Sequence, residues 1–356
     1  MSEILLEFQK ETNPVYKFSK LGEAMQLLNE DNVEETLEIF ESIPFGFESA
    51  QEYRMLLYAW SQFDPYSAID YCKSRSSGIG SGFAISGVVE GWAARDPTSA
   101  KAWVESPANT GLAKLYNFGL IKGWASQDLK GATEYVMNLA EGDEVGKLGG
   151  ILANEYNKRS FREASSWAEQ LGNKKIKEAA FTSLSKKLAR DQPERVSSWL
   201  EAHVNQGYAG KAFENLGKRW SETDPEAAIR FFSDLSAGKT QEIGIKSVIG
   251  NWAKQDPLTA GEWLNDRPAG PELDSALAVY ATTVSNENAG AAMEWAISIS
   301  QEKLQQLTIR KVGQEWYRQD KDAVEVWLPE SGLSERMMKS IRKPPKKNWW
   351  QQLSDK

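Results

Sequence analysis

The 356-residue chain contains one cysteine, Cys72, and one histidine, His203. A lone thiol excludes an intramolecular disulfide and any cysteine-based zinc site. A lone imidazole leaves a zinc centre or a histidine dyad without support, so His203 is read as a surface residue and Cys72 as buried filler. No run reaches the ~18 apolar residues of a transmembrane helix, so no membrane insertion is expected. The start, Met1-Ser2-Glu3, lacks the basic segment and apolar core of a signal peptide. A cytoplasmic protein is the resulting expectation. Catalytic motifs are missing as well: no Walker loop, no G-x-G-x-x-G after a strand, no H-E-x-x-H and no nucleophile elbow. No metal, no cofactor and no enzymatic activity are expected.

Tryptophan, by contrast, is abundant, and its placement is periodic. Stepping by 32 residues from Trp60 gives Trp60, Trp92, Trp124, Tyr156, Leu188, Trp220, Trp252, Val284 and Trp316. Eleven residues after each anchor the chain reads Tyr71, Trp103, Tyr135, Trp167, Trp199, Phe231, Trp263, Trp295 and Trp327. The second column is aromatic at every step in a chain that is 11% aromatic, and no insertion breaks the register. Self-similarity at such a period signals a repeat array.

Other columns define each repeat. Four residues after the anchor stand Asp64, Asp96, Asp128, Asp224, Asp256, Asn288 and Asp320, often followed by proline, as at Pro65, Pro97, Pro225 and Pro257. A carboxylate caps free amides at a helix start, and proline fits the first turn, where its missing N–H costs nothing. Eight residues after the anchor the residue is small: Ala68, Ala100, Ala132, Ala164, Val196, Ala228, Ala260, Ala292 and Val324. Upstream, Leu56, Val88, Leu120, Leu152, Leu184, Leu216, Val248, Tyr280 and Val312 lie four residues before the anchor. Ala84, Ala180, Ala212, Gly244 and Ala276 lie eight before it, completing an apolar stripe at helical spacing. Each repeat is therefore a helix A, a short turn and a helix B. Two helices in 32 residues cannot bury both apolar faces alone, and stacking on neighbours predicts an all-α protein, an α-solenoid of helical hairpins.

Nine repeats cover about Gln51 to Leu328. Residues 1–50 are expected to form an N-terminal cap, with Leu21–Glu41 as a degenerate repeat whose Phe40 approaches the aromatic column. Residues 51–333 form the array, and 334–356 form a basic cap or tail. That tail holds Arg336, Lys339, Arg342, Lys343, Lys346 and Lys347 around Pro344-Pro345, followed by Trp349-Trp350. The aromatics eleven after each anchor are expected to be largely buried between adjacent hairpins, with Trp167→Ala costing on the order of 3–5 kcal/mol.

The face of helix A opposite the apolar stripe, at −9, −2 and +2 from the anchor, runs against the chain's charge of −8. Over the five central repeats, eight of those fifteen positions are Lys or Arg, against 42 of 356 in the whole chain. Lys122, Lys158, Lys186, Arg190, Lys218 and Lys254 are the candidate partner-binding residues, joined by Lys147 and Lys211. If this face lines a groove, it focuses field on an acidic ligand. The alternative is a solvated helix face of good helix formers. Recurring Asp64, Asp96, Asp224 and Asp256 are caps, because a catalytic acid is needed once and a cap once per repeat. The recurring tryptophans are packing rather than a stacking platform.

Hairpins with Trp, Ala and aromatic signatures resemble the tetratricopeptide superfamily. A closer likeness is to bacterial repeat proteins reading W-x3-D-P-x2-A-x2-W, as Trp92 through Asp96-Pro97 and Ala100 to Trp103 does. The period of 32 departs from the superfamily's 34, and the step from Ala100 to Trp103 is three residues rather than four, so its ligand-binding residues do not carry over. The resemblance implies a right-handed superhelix and a role in protein–protein binding. The leading expectation is a non-catalytic scaffold taking an acidic protein or peptide segment. Nucleic-acid binding along the same stripe is the alternative, disfavoured by the acidic total charge. An enzyme on a closed helical toroid is the lesser one, since no acidic cluster of that kind is present.

Overall fold

The structure, a computed structural model, describes residues 1–44, 49–75, 78–139, 142–268 and 270–343. It is all-helical, and no strand occurs among the described residues. Three helices precede the repeats: α1 (Ser2–Lys10), α2 (Pro14–Gln26) and α3 (Val33–Glu41). The hairpins then follow as α4 (Ala50–Trp60) with α5 (Pro65–Arg75), α6 (Gly78–Arg95) with α7 (Pro97–Val104), and α8 (Ala113–Gln127) with α9 (Leu129–Asn138). Next come α10 (Asp143–Arg159) with α11 (Phe161–Gln170), α12 (Lys174–Leu188) with α13 (Pro193–Leu200), and α14 (Gly210–Trp220) with α15 (Pro225–Asp234). The last are α16 (Lys239–Gln255) with α17 (Pro257–Asn265), α18 (Asp274–Val284) with α19 (Ala289–Ile297), and α20 (Glu302–Gln319) with α21 (Lys321–Trp327). Helix α22 (Glu335–Ile341) closes the described chain. Pro344-Pro345, Lys346, Lys347 and Trp349-Trp350 lie outside the described residues.

The turn chemistry follows the sequence. Asp64, Asp96, Asp128, Asp224, Asp256, Asn288 and Asp320 each accept the amide of the residue three further on, at 2.8–3.1 Å. Ser160 does the same with Glu163. Both the side-chain hydroxyl and the amide of Ser99 donate to Asp96 and hold its carboxyl below the ordinary carboxylate range.

The chain divides into two compact units, Met1–Ser183 and Leu184–Lys356. In the first, α4 packs on α6, α6 on α8 and α8 on α10, while α5, α7 and α9 each pack on their own helix A and on the next one. The second repeats the scheme: α14 on α16, α16 on α18, α18 on α20, with α15, α17 and α19 bridging in the same way. Helix α22 packs on α20, with Ile341 buried against Gly313.

In the first unit, helices A approach backbone to backbone. A Cβ on Gly119 would lie 2.0 Å from the Ser86 carbonyl oxygen, one on Gly123 2.0 Å from that of Glu90, and one on Gly91 2.3 Å from that of Tyr58. Glycine is required here by the neighbouring backbone rather than by dihedral angles. In the second unit Gly244 makes room for a ring, because a Cβ there would meet Phe232 Cδ1 at 1.8 Å.

Burial ranks the columns differently from their appearance in the sequence. The small column at +8 is fully buried at all nine positions, from Ala68 to Val324. So is the column at +12, Cys72, Val104, Val136, Ala168, Leu200, Phe232, Leu264, Ala296 and Leu328, with at most 3% exposure. All nine aromatics at +11 are partly exposed, less deep than +8 and +12, while Trp103 packs across hairpins on Tyr116 with centroids 5.1 Å apart. Each of several lies against the anchor of its own hairpin, as in Trp60–Tyr71, Trp124–Tyr135, Tyr156–Trp167, Trp220–Phe231 and Trp316–Trp327, with centroids 4.7–5.7 Å apart. The reason is angular. On helix B, +8 and +12 are one helical turn apart and share the innermost line, and +11 stands beside it.

The N-terminal segment also differs in detail. Its hairpin is α2 with α3, starting at Pro14 rather than Leu21, and α1 packs on both. Phe40 is buried between Phe8 and Tyr53.

Polar contacts stitch successive repeats. Gln255 Nε2 donates to the Ser221 carbonyl at 2.9 Å, and Gln319 Nε2 to that of Ser285 at 2.7 Å. Arg95 reaches the Gln62 carbonyl in the same way. All three stand at +3 and satisfy the open carbonyl end of the preceding helix A. Asp274 does the converse, accepting amides at a helix start. Just 1% exposed, it accepts the Ser300 amide and hydroxyl and the Gln301 amide, each at 2.8 Å, at the start of α20.

Three stability outcomes are expected. In an exposed helix Gly→Ala stabilises by up to ~1 kcal/mol, but Gly123→Ala should destabilise by about 1–3 kcal/mol, because the new methyl displaces backbone. Urea denaturation gives the sign, and a gain would remove the close-approach argument. Trp220→Ala, at a buried anchor, should cost about 3–5 kcal/mol and more than Trp167→Ala. Asp96→Ala should cost about 1 kcal/mol near neutral pH. Because folding depresses this pKa, the Asp96 contribution is present above the unfolded value and lost as pH falls through the folded one. Melting curves of wild type and variant should therefore converge in acid.

Candidate partner-binding surface

Helix A shows solvent the side opposite its apolar stripe, and there the structure distributes the six candidate cations unequally. Lys122 on α8 is 2.7 Å from Glu90 of α6, which Arg54 of α4 also contacts at 3.1 Å. Glu90 is thus clamped by one cation from each neighbouring helix A. Lys158 binds Glu155 of its own helix at 2.6 Å. Arg190 faces Glu222 of the next repeat at 3.8 Å, and Arg219 shares that carboxylate at 3.0 Å. These three are engaged within the chain. Lys186, Lys218 and Lys254 are exposed and form no salt bridge among the described residues. Lys211 neutralises Glu214 at 2.7 Å.

In the second unit Lys218 and Lys254 come together. They line a shallow depression of about 300 Å³ between α14, α16 and α18, with Lys246 on the same wall. Ile243 and Val279 supply its apolar part, Ser247 and Asn251 its neutral polar part, and Glu214 its only acid. Asn251 is held by a 3.1 Å bond from its amide to Ser221 Oγ. Gly250 leaves the centre of the floor without a side chain, since a Cβ there would meet Val279 at 2.9 Å. Lys186 does not line this depression. Lys246 stands at −6, outside the three columns that the sequence singles out. Its signal is the four-residue spacing of Lys246, Gly250 and Lys254 along one helix face.

The first unit carries a wider depression of about 1040 Å³ along α2, α4 and α6, again on the side of helix A at −9, −5, −2 and +2. Its floor includes Met25, Leu28, Met55, Tyr58 and Phe63. Glu30 and Asp31 stand at its edge, and its arginines are engaged: Arg54 with Glu90, Arg95 with the Gln62 carbonyl. No lysine lines this depression, whereas three line that of the second unit.

Among the described residues no group of three or more His, Cys, Asp or Glu could hold a metal ion. No described helix is long and apolar enough to cross a membrane. His203 is half-buried rather than open surface, with Nδ1 3.0 Å from the Tyr208 hydroxyl and its ring edge-on to Trp199. Cys72 is fully buried, and desolvation pushes its thiol up to about 12. The cluster sets ammonium groups beside aliphatic side chains, a combination that attracts anions and offers them an apolar contact. Compared with protein-family models, curated proteins and solved structures, the chain finds no match.

The thiol provides a simple check. Iodoacetamide near pH 8 should leave native Cys72 unmodified and label it fully in denaturant, read by intact mass. Rapid labelling of the native protein would contradict the packing of the +12 column.

Proposed function

We propose that this chain is a non-catalytic interaction scaffold, an α-solenoid whose helix A face takes an acidic segment of a protein partner. The observation that carries the reading is the depression lined by Lys218, Lys246 and Lys254, three exposed lysines gathered with one acid, Glu214, in a chain of net charge −8. The solenoid part is supported within each compact unit by the regular packing of helix A on helix A and of helix B on the next helix A. It is also in keeping with the resemblance of the repeats to the tetratricopeptide superfamily.

The mode of recognition follows from the composition of the wall. Exposed ion pairs contribute only ~0–1 kcal/mol each, so lysines give orientation and on-rate more than affinity. Ile243 and Val279 offer the apolar contact on which affinity depends. Lys186 extends the same helix A column in the preceding repeat. Lys122, Lys158 and Arg190, already paired, serve the scaffold's own stability in this reading.

A fluorescent oligoglutamate peptide tests it. Lys186→Glu, Lys218→Glu and Lys254→Glu combined should weaken binding about tenfold or more, a loss of ~1.4 kcal/mol, with the melting temperature nearly unchanged. Lys122→Glu should do the reverse, lowering stability by leaving Glu90 facing an added acid while sparing binding. If single-stranded RNA binds the wild type with a steeper salt dependence than the peptide, the partner is a nucleic acid and the protein reading fails.

A further inference from the structure

We infer that the acidic segment received by the α14–α16–α18 depression is helix α3 of a second copy of this chain, so that copies associate head to tail. This rests on the preceding reading of the depression and adds its occupant. Charge placement carries it. Residues 1–50 hold 11 Asp and Glu against 3 Lys and Arg, which equals the whole chain's net charge of −8. The remainder of the chain is balanced, so its acidity is a property of one end.

Within that end, Glu34, Glu38 and Glu41 recur at i, i+4 and i+7 along α3 and are exposed. None forms a salt bridge among the described residues. The other side of α3 is fixed, with Thr36 and Phe40 fully buried and Phe40 packed 5.4 Å from Tyr53 and 6.3 Å from Phe8. The acidic stripe is therefore presented on an ordered helix. On α16, Lys246, Gly250 and Lys254 recur at i, i+4 and i+8, and Lys218 of α14 stands beside them on the same depression. Between the two lysines the place of a side chain at Gly250 is filled by Val279 of α18, so an aliphatic surface separates the ammonium groups that acidic side chains would reach. Three carboxylates, the outer two seven residues apart on one helix, would meet two ammonium groups eight residues apart on α16 and a third on α14.

The two surfaces are different patches of one chain, so the contact is heterologous and each docked copy retains a free surface of either kind. Exposed pairs make it weak and sensitive to salt.

Sedimentation equilibrium of the full chain decides the matter. At low ionic strength the average mass should rise with concentration above that of one chain, and return to one chain at ~0.5 M salt, where the Debye length is only a few Å. Glu34→Lys, Glu38→Lys and Glu41→Lys combined should abolish association, as should Lys218→Glu, Lys246→Glu and Lys254→Glu combined. All six positions are exposed, so circular dichroism and melting temperature should stay at wild-type values in both. Mixing the two reversed proteins should restore association, because each then meets opposite charge. A wild type that stays at the mass of one chain, or a mixture that fails to associate, overturns the inference. If oligoglutamate still binds the wild type in that case, the preceding reading survives and only the occupant is wrong.

Discussion

The close approach of each helix A to the next is the constraint on which the first compact unit depends. At Gly91, Gly119 and Gly123 the neighbouring carbonyl oxygen occupies the space a methyl group would need. Helices this close hold their rows of side chains in a fixed longitudinal register. The clamp on Glu90 by Arg54 and Lys122 is one product of that register. The bond from Arg95 to the Gln62 carbonyl is another. The second unit reaches the same arrangement with fewer glycines, using Gly244 to admit Phe232 and amide side chains to bind helix ends.

Once one side of helix A and the inner line of helix B are committed to packing, the outward side of helix A is left facing solvent. Both depressions described here lie on it. Their chemistry differs. In the first unit charge is spent internally and the floor is apolar and aromatic; in the second, lysines stand free around aliphatic side chains. One repeat geometry thus carries two unlike surfaces, because the columns that face solvent are not constrained by the packing that fixes the others.

The sequence made the hairpins legible because capping and apolar periodicity are local. Asp96 and Asp256 bond residues three positions away, and a reader of the chain can see both partners. The relative burial of columns was harder. The aromatic column at +11 is conspicuous by composition, but the deepest line on helix B is +8 and +12, where Ala68 and Cys72 or Ala228 and Phe232 sit one turn apart. The mixed identities at +12 hide it from a search for one residue type. The candidate site was legible only as a charge excess. Whether Lys122 or Arg190 is free depends on Glu90 and Glu222, each 32 residues away in the sequence and adjacent only after repeats stack. Lys246 was missed because its column is mixed, with Arg54 and Arg310 in other repeats but Phe118, Gly150, Thr182 and Glu214 in the central ones.

The bonds from Gln255 to the Ser221 carbonyl and from Gln319 to that of Ser285 have a consequence for how such a chain can change length. The donor is a side chain of the later repeat, whereas the acceptor belongs to the main chain, which every residue possesses. A repeat can therefore follow any predecessor without requiring a particular side chain from it at this joint. Loss or duplication of a 32-residue segment by unequal recombination would bring a new predecessor's carbonyl to the same amide. The joint is indifferent to ancestry, so the number of repeats is free to drift in whole steps while the linkage between neighbours is kept.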